Sequence, residues 1–340
     1  MEYLRNCWYA AGFGDEIPDG GMFARTLLGE PVLFFRDGDN RARALGNRCP
    51  HRFAPLHEGK LVGNDVECPY HGLRFSEAGV CVHNPHGEGK IPQAAKIKRY
   101  AVEERWGVLW IWMGDASVAD LAQMPRYDDI SNWPEHSHVK GYVYSAANYE
   151  LMVDNLIDLS HADFLHLDTL STSGAVTGLG PTVTERGTDI RAEWRWGPHA
   201  PMPVLRPLLP QGVTVEQHLS TTWHAPSNVH IESRTYPDQA DMLEIQGYHL
   251  VTPETETSTH YFFVSTRNFL VENRDVSKAM TEQIARAFST EDKPLIEAAQ
   301  RYMATTDLWS LKPVLLECDG GAVRIRRVLR TLIEAERGMA

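Results

Sequence analysis

The chain is predicted to be an α+β protein of two domains, each built on an antiparallel sheet, with helices flanking the second sheet. Three observations predict this. Residues up to about 115 hold short alternating or apolar runs separated by Gly, Asn and Asp turns, with no sustained helical period. Strand-like composition then stops at Gly114-Asp115-Ala116-Ser117, which divides the 340 residues into 1–115 and 116–340. Beyond it, strand-like segments at 182–196, 214–224, 228–236, 242–251 and 259–266 lie between one helix and two later ones.

In chain order, Phe23 to Leu28 and Pro31 to Phe35 read as strands, and an Asp37-Gly38 turn leads to a strand ending at Leu45. Leu61 to Glu67 carries a Gly63-Asn64-Asp65 turn and reads as a hairpin, followed by a second from Leu73-Arg74-Phe75 to Val80-Cys81-Val82. Asn84 to Gly89 is loop, Ile97 to Val102 is strand, and Trp106 to Met113 is a nearly continuous apolar run expected to close the core as one strand. Its three tryptophans are expected to pack. In the second domain a strand runs from Val139 to Ala146, then a helix from about Tyr149 to His161 with Asn148 as N-cap. Residues 169–180, rich in Thr, Ser and Gly, are expected to form a loop that serves as a lid over a pocket, and 199–213 to line or cover it. One long helix is expected from Asp275 to about Thr305, and another from Gly321 or Ala322 to about Arg337.

Composition narrows the class. With 43% apolar and 23% charged residues, the chain is an ordinary globular sequence. Its net charge of −12, without a basic cluster, argues against nucleic acid as a partner. No apolar stretch approaches the ~18 residues a membrane span needs, and no basic segment precedes an apolar run at the N-terminus, so the expectation is a cytoplasmic protein. The five cysteines are odd in number and scattered, which argues against a disulfide framework. Cys7, Cys81 and Cys318 are expected to be small core or semi-buried residues, although Cys81 lies close in sequence to the motif described next.

That motif is Cys49-Pro50-His51, sixteen residues, then Cys68-Pro69-Tyr70-His71. Each arm brings one thiolate and one imidazole, and each Cys is followed by a Pro that stiffens the loop. A binuclear iron–sulfur cluster with two Cys on one iron and two His on the other suits two such mixed arms. A structural zinc site is the alternative, although zinc sites more often group like ligands.

A second constellation begins in the helix Leu151 to His161, apolar enough to be buried yet carrying Asp154, Asn155 and Asp158. Asn155 and Asp158 are its catalytic candidates. Asp158 and His161 share a face, whereas His166, five residues on, would point about 140° away on a regular helix. The helix must therefore end or widen near Ala162-Asp163 if the two histidines are to converge. If they do, they can fill two positions of a non-heme iron completed by one carboxylate. The alternative is that His161 caps a helix C-terminus and His166 lies on the surface. Among 45 carboxylates spacing cannot choose the third ligand, and Glu291-Asp292-Lys293 reads by itself as an exposed charged turn.

The arms, together with the opening Asn6-Cys7-Trp8-Tyr9, resemble the Rieske domain of the Rieske non-heme iron oxygenases. The segment Asp158-Leu-Ser-His161 followed by His166 resembles the iron-binding segment of that family. The resemblance implies a [2Fe–2S] cluster held by Cys49, His51, Cys68 and His71, and a mononuclear Fe(II) held by His161, His166 and Asp292. It also implies a helix-grip-like catalytic domain, a homotrimer, and Asp158 as a bridge to a cluster histidine of the neighbouring subunit. Arg52 to Leu56, Val82 to Gly87, Leu151 to Leu156 and Leu250 to Thr255 are similar to the vanillate O-demethylase and dicamba monooxygenase branch. Members of that branch use O2 and NAD(P)H electrons, delivered by a reductase or ferredoxin, to remove an aryl methyl ether as formaldehyde. A methoxylated aromatic acid is the substrate the resemblance implies, with Asn228 and His249 on its carboxylate. Asn228 as a turn residue and His249 as an ordinary strand histidine remain the alternatives. One departure is Gln283, nine residues before Asp292, where the dicamba enzyme carries a tryptophan.

Rival functions are methyl hydroxylation of an aryl sulfonate or ring hydroxylation on the same machinery, and, outside catalysis, a Rieske electron-transfer protein. The second His/Asp set in more than 200 further residues weighs against electron transfer alone.

Overall fold

The computed structural model describes residues 2–238 and 240–339. It divides into two compact units, one of Arg5–Met124 and one of the residues from Pro125 onward with the first few of the chain.

The first unit holds β1 (Trp8–Phe13), β2 (Met22–Leu27), β3 (Glu30–Arg36), β4 (Ala42–Gly46), β5 (Lys60–Val62), β6 (Asp65–Glu67), β7 (Arg74–Phe75), β8 (Cys81–His83), β9 (Arg99–Arg105) and β10 (Val108–Trp112). These form two antiparallel sheets, ordered β1-β10-β9-β4-β3-β2 and β5-β6-β7-β8. Two features depart from the sequence reading. The run expected as one strand from Trp106 starts only at Val108, because Trp106 and Gly107 take positive φ, 57° and 74°, and make the tight turn between β9 and β10. An aromatic residue hides that turn. Strand β1 is additional: every residue of Trp8–Phe13 is buried, so it lacks the alternation that marks a half-exposed strand.

Leu33, Phe35 and Leu45 of the larger sheet pack with Val66 and Phe75 of the smaller one. The same core encloses Cys49, Cys68 and Cys81, so the roots of both Cys/His arms are fixed by the packing of two sheets. Cys81 is a core residue whose Sγ lies 3.4 Å from the carbonyl oxygen of His83.

The second unit runs β11 (Val139–Ser145), α1 (Tyr149–Ile157), α2 (Ala162–Leu165), α3 (Ala175–Leu179), β12 (Thr182–Arg186), β13 (Asp189–His199), β14 (Val215–His224), β15 (Asn228–Pro237), β16 (Leu243–Thr255), β17 (Ser258–Arg267), α4 (Arg274–Arg286), α5 (Lys293–Met303) and α6 (Gly320–Met339). Its strands form one antiparallel sheet, β11-β17-β16-β15-β14-β13-β12, and β17 is buried along its whole length. The segment expected as a single strand at 182–196 is a hairpin, turned at Gly187 with φ 63°.

Asn148 caps α1, accepting from the Glu150 N–H at 2.9 Å. That helix stops four residues sooner than the sequence suggests. Asp158 leaves the helical region at φ −105°, ψ 101°, and its carboxylate caps a short 3-10 turn over Leu159–His161. The long helix expected from 275 to 305 is broken as well: Ala287–Asp292 is a π-helical turn between α4 and α5, with Lys293 N–H donating back to the Phe288 carbonyl. Such widened turns change which side chains point inward. No helix among the described residues is long and apolar enough to cross a membrane.

Helix α6 is tied to α1 by Arg326, which is 6% exposed and bonds Asp154 at 2.7 Å and Glu150 at 2.6 Å. Burial pushes both carboxylates above their ordinary range and Arg326 draws them back. The pair therefore adds little net stability while intact, but breaking it strands two desolvated charges. Arg326→Ala is expected to cost about 3–5 kcal/mol in a denaturant unfolding series, whereas loss below ~1 kcal/mol would mean that water reaches the pair.

Candidate functional site

The two Cys/His arms share one backbone turn. Cys49 N–H donates to the Ala54 carbonyl and Cys68 N–H to the Leu73 carbonyl, five residues on in each case, at 2.9 and 2.8 Å. The fourth residue after each Cys closes the loop: Phe53 and Gly72 donate to the Cys49 and Cys68 carbonyls, with φ 58° and 69°. Gly adopts that left-handed conformation freely and Phe does not, so Phe53 holds a conformation that bulky residues rarely take.

Both thiols are buried, whereas His51 is exposed and His71 half-buried, with ring centroids 4.5 Å apart. Burial pushes the Cys49 thiol up to about 11 and its neighbour Cys68 adds to the shift, while the N–H groups of His51 and Arg52 oppose it. A thiolate pair in this seat requires positive charge beside it, which iron supplies. A cluster with both thiols on one iron and both imidazoles on the other fits buried thiols beside outward-lying imidazoles.

In the second unit the break at Asp158 allows the two histidines to converge. After it, His161 ends the 3-10 turn and His166 follows α2, with ring centroids 5.2 Å apart. Each ring is oriented through Nδ1. In His161 it lies 2.6 Å from the Asp158 carbonyl oxygen, and in His166 it lies 2.6 Å from Glu291 Oε2. Both Nε2 atoms face Asp292 Oδ1, at 3.4 and 3.2 Å. Asp292 is 1% exposed, delivered inward by the π turn rather than lying on the charged surface its sequence suggests. Burial would raise its pKa, but the two histidines hold it down at about 2. Burial likewise lowers His166, and the carboxylates of Asp292 and Glu291 more than reverse the shift. The cluster of negative charge calls for a cation.

Asn155 joins this set, its Nδ2 lying 3.1 Å from Asp292 Oδ1 and 3.3 Å from His161 Nε2. Asp158 contributes its carbonyl to His161 and its carboxylate to Ser160 N–H, at 2.9 Å. Glu291 was not singled out by sequence. Only its place beside Asp292 marked it, and an Asp/Glu pair is common on exposed turns.

The three donors open onto a cavity of about 180 Å³, room enough for one substituted aromatic ring. Its walls include Leu156, Leu219, Ile231, Phe263, Met280 and Phe288. Among the described residues no lysine or arginine lines it. Met202 and Val204 of the Pro- and Leu-rich stretch form part of the wall, as do Leu170 and Thr172 of the 169–180 segment. That segment is fastened: Thr172 and Thr177 hydroxyls donate to the Asp163 carboxylate at 2.8 and 2.9 Å.

His249 lines the cavity, with Nδ1 2.6 Å from the Tyr261 hydroxyl. Burial holds its pKa near 3, so the ring is neutral and can offer one N–H. Gly247 leaves room for it, since a Cβ there would sit 2.8 Å from His249 Nε2. Gln283 on α4 also lines the cavity. Asn228 does not. Register pairs it with Leu250, while Ile231 and Ser233, on the alternate set of β15, face the cavity. Its Nδ2 is buried without a hydrogen-bond partner among the described residues. Of the expected pair, the structure brings His249 to the cavity and not Asn228.

The comparisons agree with both halves. Residues 7–100 match the Rieske [2Fe-2S] domain and residues 145–335 the vanillate O-demethylase oxygenase C-terminal domain. The chain is 36% identical to the oxygenase component of chloroacetanilide N-alkylformylase from Rhizorhabdus wittichii, over 98% of this chain and 97% of that one. It is 35% identical to the oxygenase component of dicamba O-demethylase from Stenotrophomonas maltophilia, over 99% of each. The crystal structure of dicamba monooxygenase bound to 3,6-dichlorosalicylic acid superposes with a TM-score of 0.91 at 34% identity, covering 99% of both chains.

Gly59 tests the arm geometry. A Cβ there would fall 2.0 Å from the Glu67 carbonyl oxygen, at the root of the second arm, and 3.1 Å from Pro69 Cδ. Gly59→Ala is expected to cost about 1–3 kcal/mol of overpacking and to strip cluster iron and acid-labile sulfide while the mononuclear iron stays. Full sulfide content in the variant would show that the arms tolerate separation.

Proposed function

The chain belongs to the Rieske non-heme iron oxygenases of the vanillate O-demethylase type, and we propose that it is the terminal oxygenase that removes a methyl group from a methoxylated aromatic substrate. The observation that carries this reading is the convergence of two Nε2 atoms and one buried carboxylate on the floor of an apolar cavity sized for one ring. Its cofactors are a Rieske [2Fe–2S] cluster and a mononuclear iron. Cys49, His51, Cys68 and His71 would hold the first, and His161, His166 and Asp292 the second. Together they supply the electrons and the activation of O2 by which one oxygen atom enters a methyl C–H bond and the other leaves as water.

The protein's own groups do the rest. The apolar walls exclude water and press the ring toward the triad. Neutral His249 donates to the polar end of the substrate, and Gln283 offers a second donor on the same cavity wall. A methoxybenzoate is the first substrate in this reading, its carboxylate met by neutral donors rather than by a lysine or arginine. The hydroxylated methoxy carbon is a hemiacetal, which collapses to a phenol and formaldehyde. The overall balance is one O2, two electrons and two protons per methyl group removed.

The electrons come from NAD(P)H through a reductase or ferredoxin, which is consistent with a cytoplasmic setting. A homotrimer belongs to the same reading. In it Asp158 links the His71 of a neighbouring subunit to His161, because His161 is already bonded to the Asp158 carbonyl.

Anaerobically purified protein is expected to hold about three irons per chain, and to release formaldehyde and a phenol from at least one methoxybenzoate or methoxybenzamide with a surrogate reductase. A ring diol as sole product, or a benzyl alcohol from a toluenesulfonate with no formaldehyde from any methoxy compound, would overturn the demethylase reading. Asp158→Asn keeps the carbonyl that orients His161. Both metal centres are therefore expected to load normally while turnover falls by about 10²-fold or more, and an unchanged rate would refute the bridge.

A further inference from the structure

We propose that Glu291 is a positioning residue for the mononuclear iron, holding His166 by the ring nitrogen that faces away from the metal site. This rests on the reading of His161, His166 and Asp292 as ligands. His166 is clamped by adjacent carboxylates, Glu291 Oε2 2.6 Å from Nδ1 and Asp292 Oδ1 3.2 Å from Nε2. The side chains are 3% exposed for His166, 18% for Glu291 and 2% for Asp292.

An ionised carboxylate only accepts hydrogen bonds, so Glu291 keeps a hydrogen on His166 Nδ1, and a cation that takes the place of the Nε2–Asp292 contact meets the Nε2 lone pair. That is the tautomer a metal binds. His161 reaches it by another route, through the neutral carbonyl of Asp158 at 2.6 Å. A charged acceptor makes an imidazole a stronger donor to a metal than a neutral one does. The two histidines are therefore unequal, and the basicity of His166 depends on a replaceable side chain.

The helix geometry shows how both carboxylates reach one ring. On a regular helix neighbouring residues point about 100° apart, and the π turn at Ala287–Asp292 alters that angle where both are needed. The other ion pair of Glu291 is weak, with Arg286 Nε at 3.8 Å on a side chain 64% exposed. A mostly buried carboxylate with so little other compensation among the described residues is costly unless the imidazole and its metal offset it.

The test is made on the full chain, emptied of mononuclear metal under anaerobic conditions and titrated with Fe(II), and with Co(II) for its visible spectrum. Glu291→Ala is expected to weaken binding by about 10–100-fold. Glu291→Gln, which still accepts from Nδ1 through a neutral oxygen, should fall between that variant and the wild type. Both should shift the Co(II) bands and leave cluster iron and sulfide unchanged. Wild-type affinity in Glu291→Ala overturns the proposal, as does a loss of metal that only tracks a lower Tm of the metal-free protein in both variants. If Glu291→Ala does not fold, Glu291→Gln decides alone: wild-type affinity and Co(II) bands overturn the proposal, and weakened binding with shifted bands supports it. His166→Ala separates the two levels. If it keeps the mononuclear metal, the ligand reading itself fails. If it loses the metal while the Glu291 variants do not, only the role of Glu291 fails.

Discussion

A carboxylate buried beneath an apolar cavity has to be matched by positive charge or by strong hydrogen-bond donors, and much of the catalytic unit is arranged to meet that requirement for Asp292. Two imidazoles and the Asn155 amide converge on its Oδ1. Each imidazole is in turn held from behind, one by a backbone carbonyl and one by Glu291. The breaks in the two helices serve the same end. Helix α1 stops at Ile157 so that His161 and His166 can face one point, and α4 widens into a π turn so that Asp292 can face it too. Both irregularities give up regular helical hydrogen bonding for the geometry of the site.

The cluster end is built on repetition. Two arms of different sequence, Cys-Pro-His-Arg-Phe and Cys-Pro-Tyr-His-Gly, take the same turn with the same pair of backbone hydrogen bonds. Their histidines stand two and three residues after the cysteine. The thiols lie in the core shared by two sheets while the imidazoles lie toward solvent. This polarity suits a cluster whose Cys-bound iron is buried and whose His-bound iron exchanges electrons at the surface.

The cavity combines apolar walls with a few neutral polar groups. His249 is kept uncharged by burial and fits against its own strand because Gly247 has no side chain. The site can therefore donate hydrogen bonds to a substrate without a fixed cation to compete with the metal's charge. Gln283 puts a neutral amide on one wall of the cavity, apart from the metal floor.

The sequence by itself pointed to the chemistry of this protein: mixed Cys/His arms suit a two-iron cluster better than zinc, and beside such arms the resemblance to a family made the paired histidines after a polar helix candidates for a non-heme iron site. Alternation and turn residues also placed most strands, because a half-buried strand must alternate and a tight turn favours Gly, Asn or Asp. Three things were settled only by tertiary structure, each because a local pattern is silent about what packs against it. Strand β1 is buried on both faces and so shows no alternation. Asn228 and His249 lie on neighbouring strands, but only ladder register shows that they face opposite ways. Glu291-Asp292 reads as a solvated turn until a widened helix aims both carboxylates at one imidazole, since the phase of a helix is set by its hydrogen bonds and not by the residues it carries.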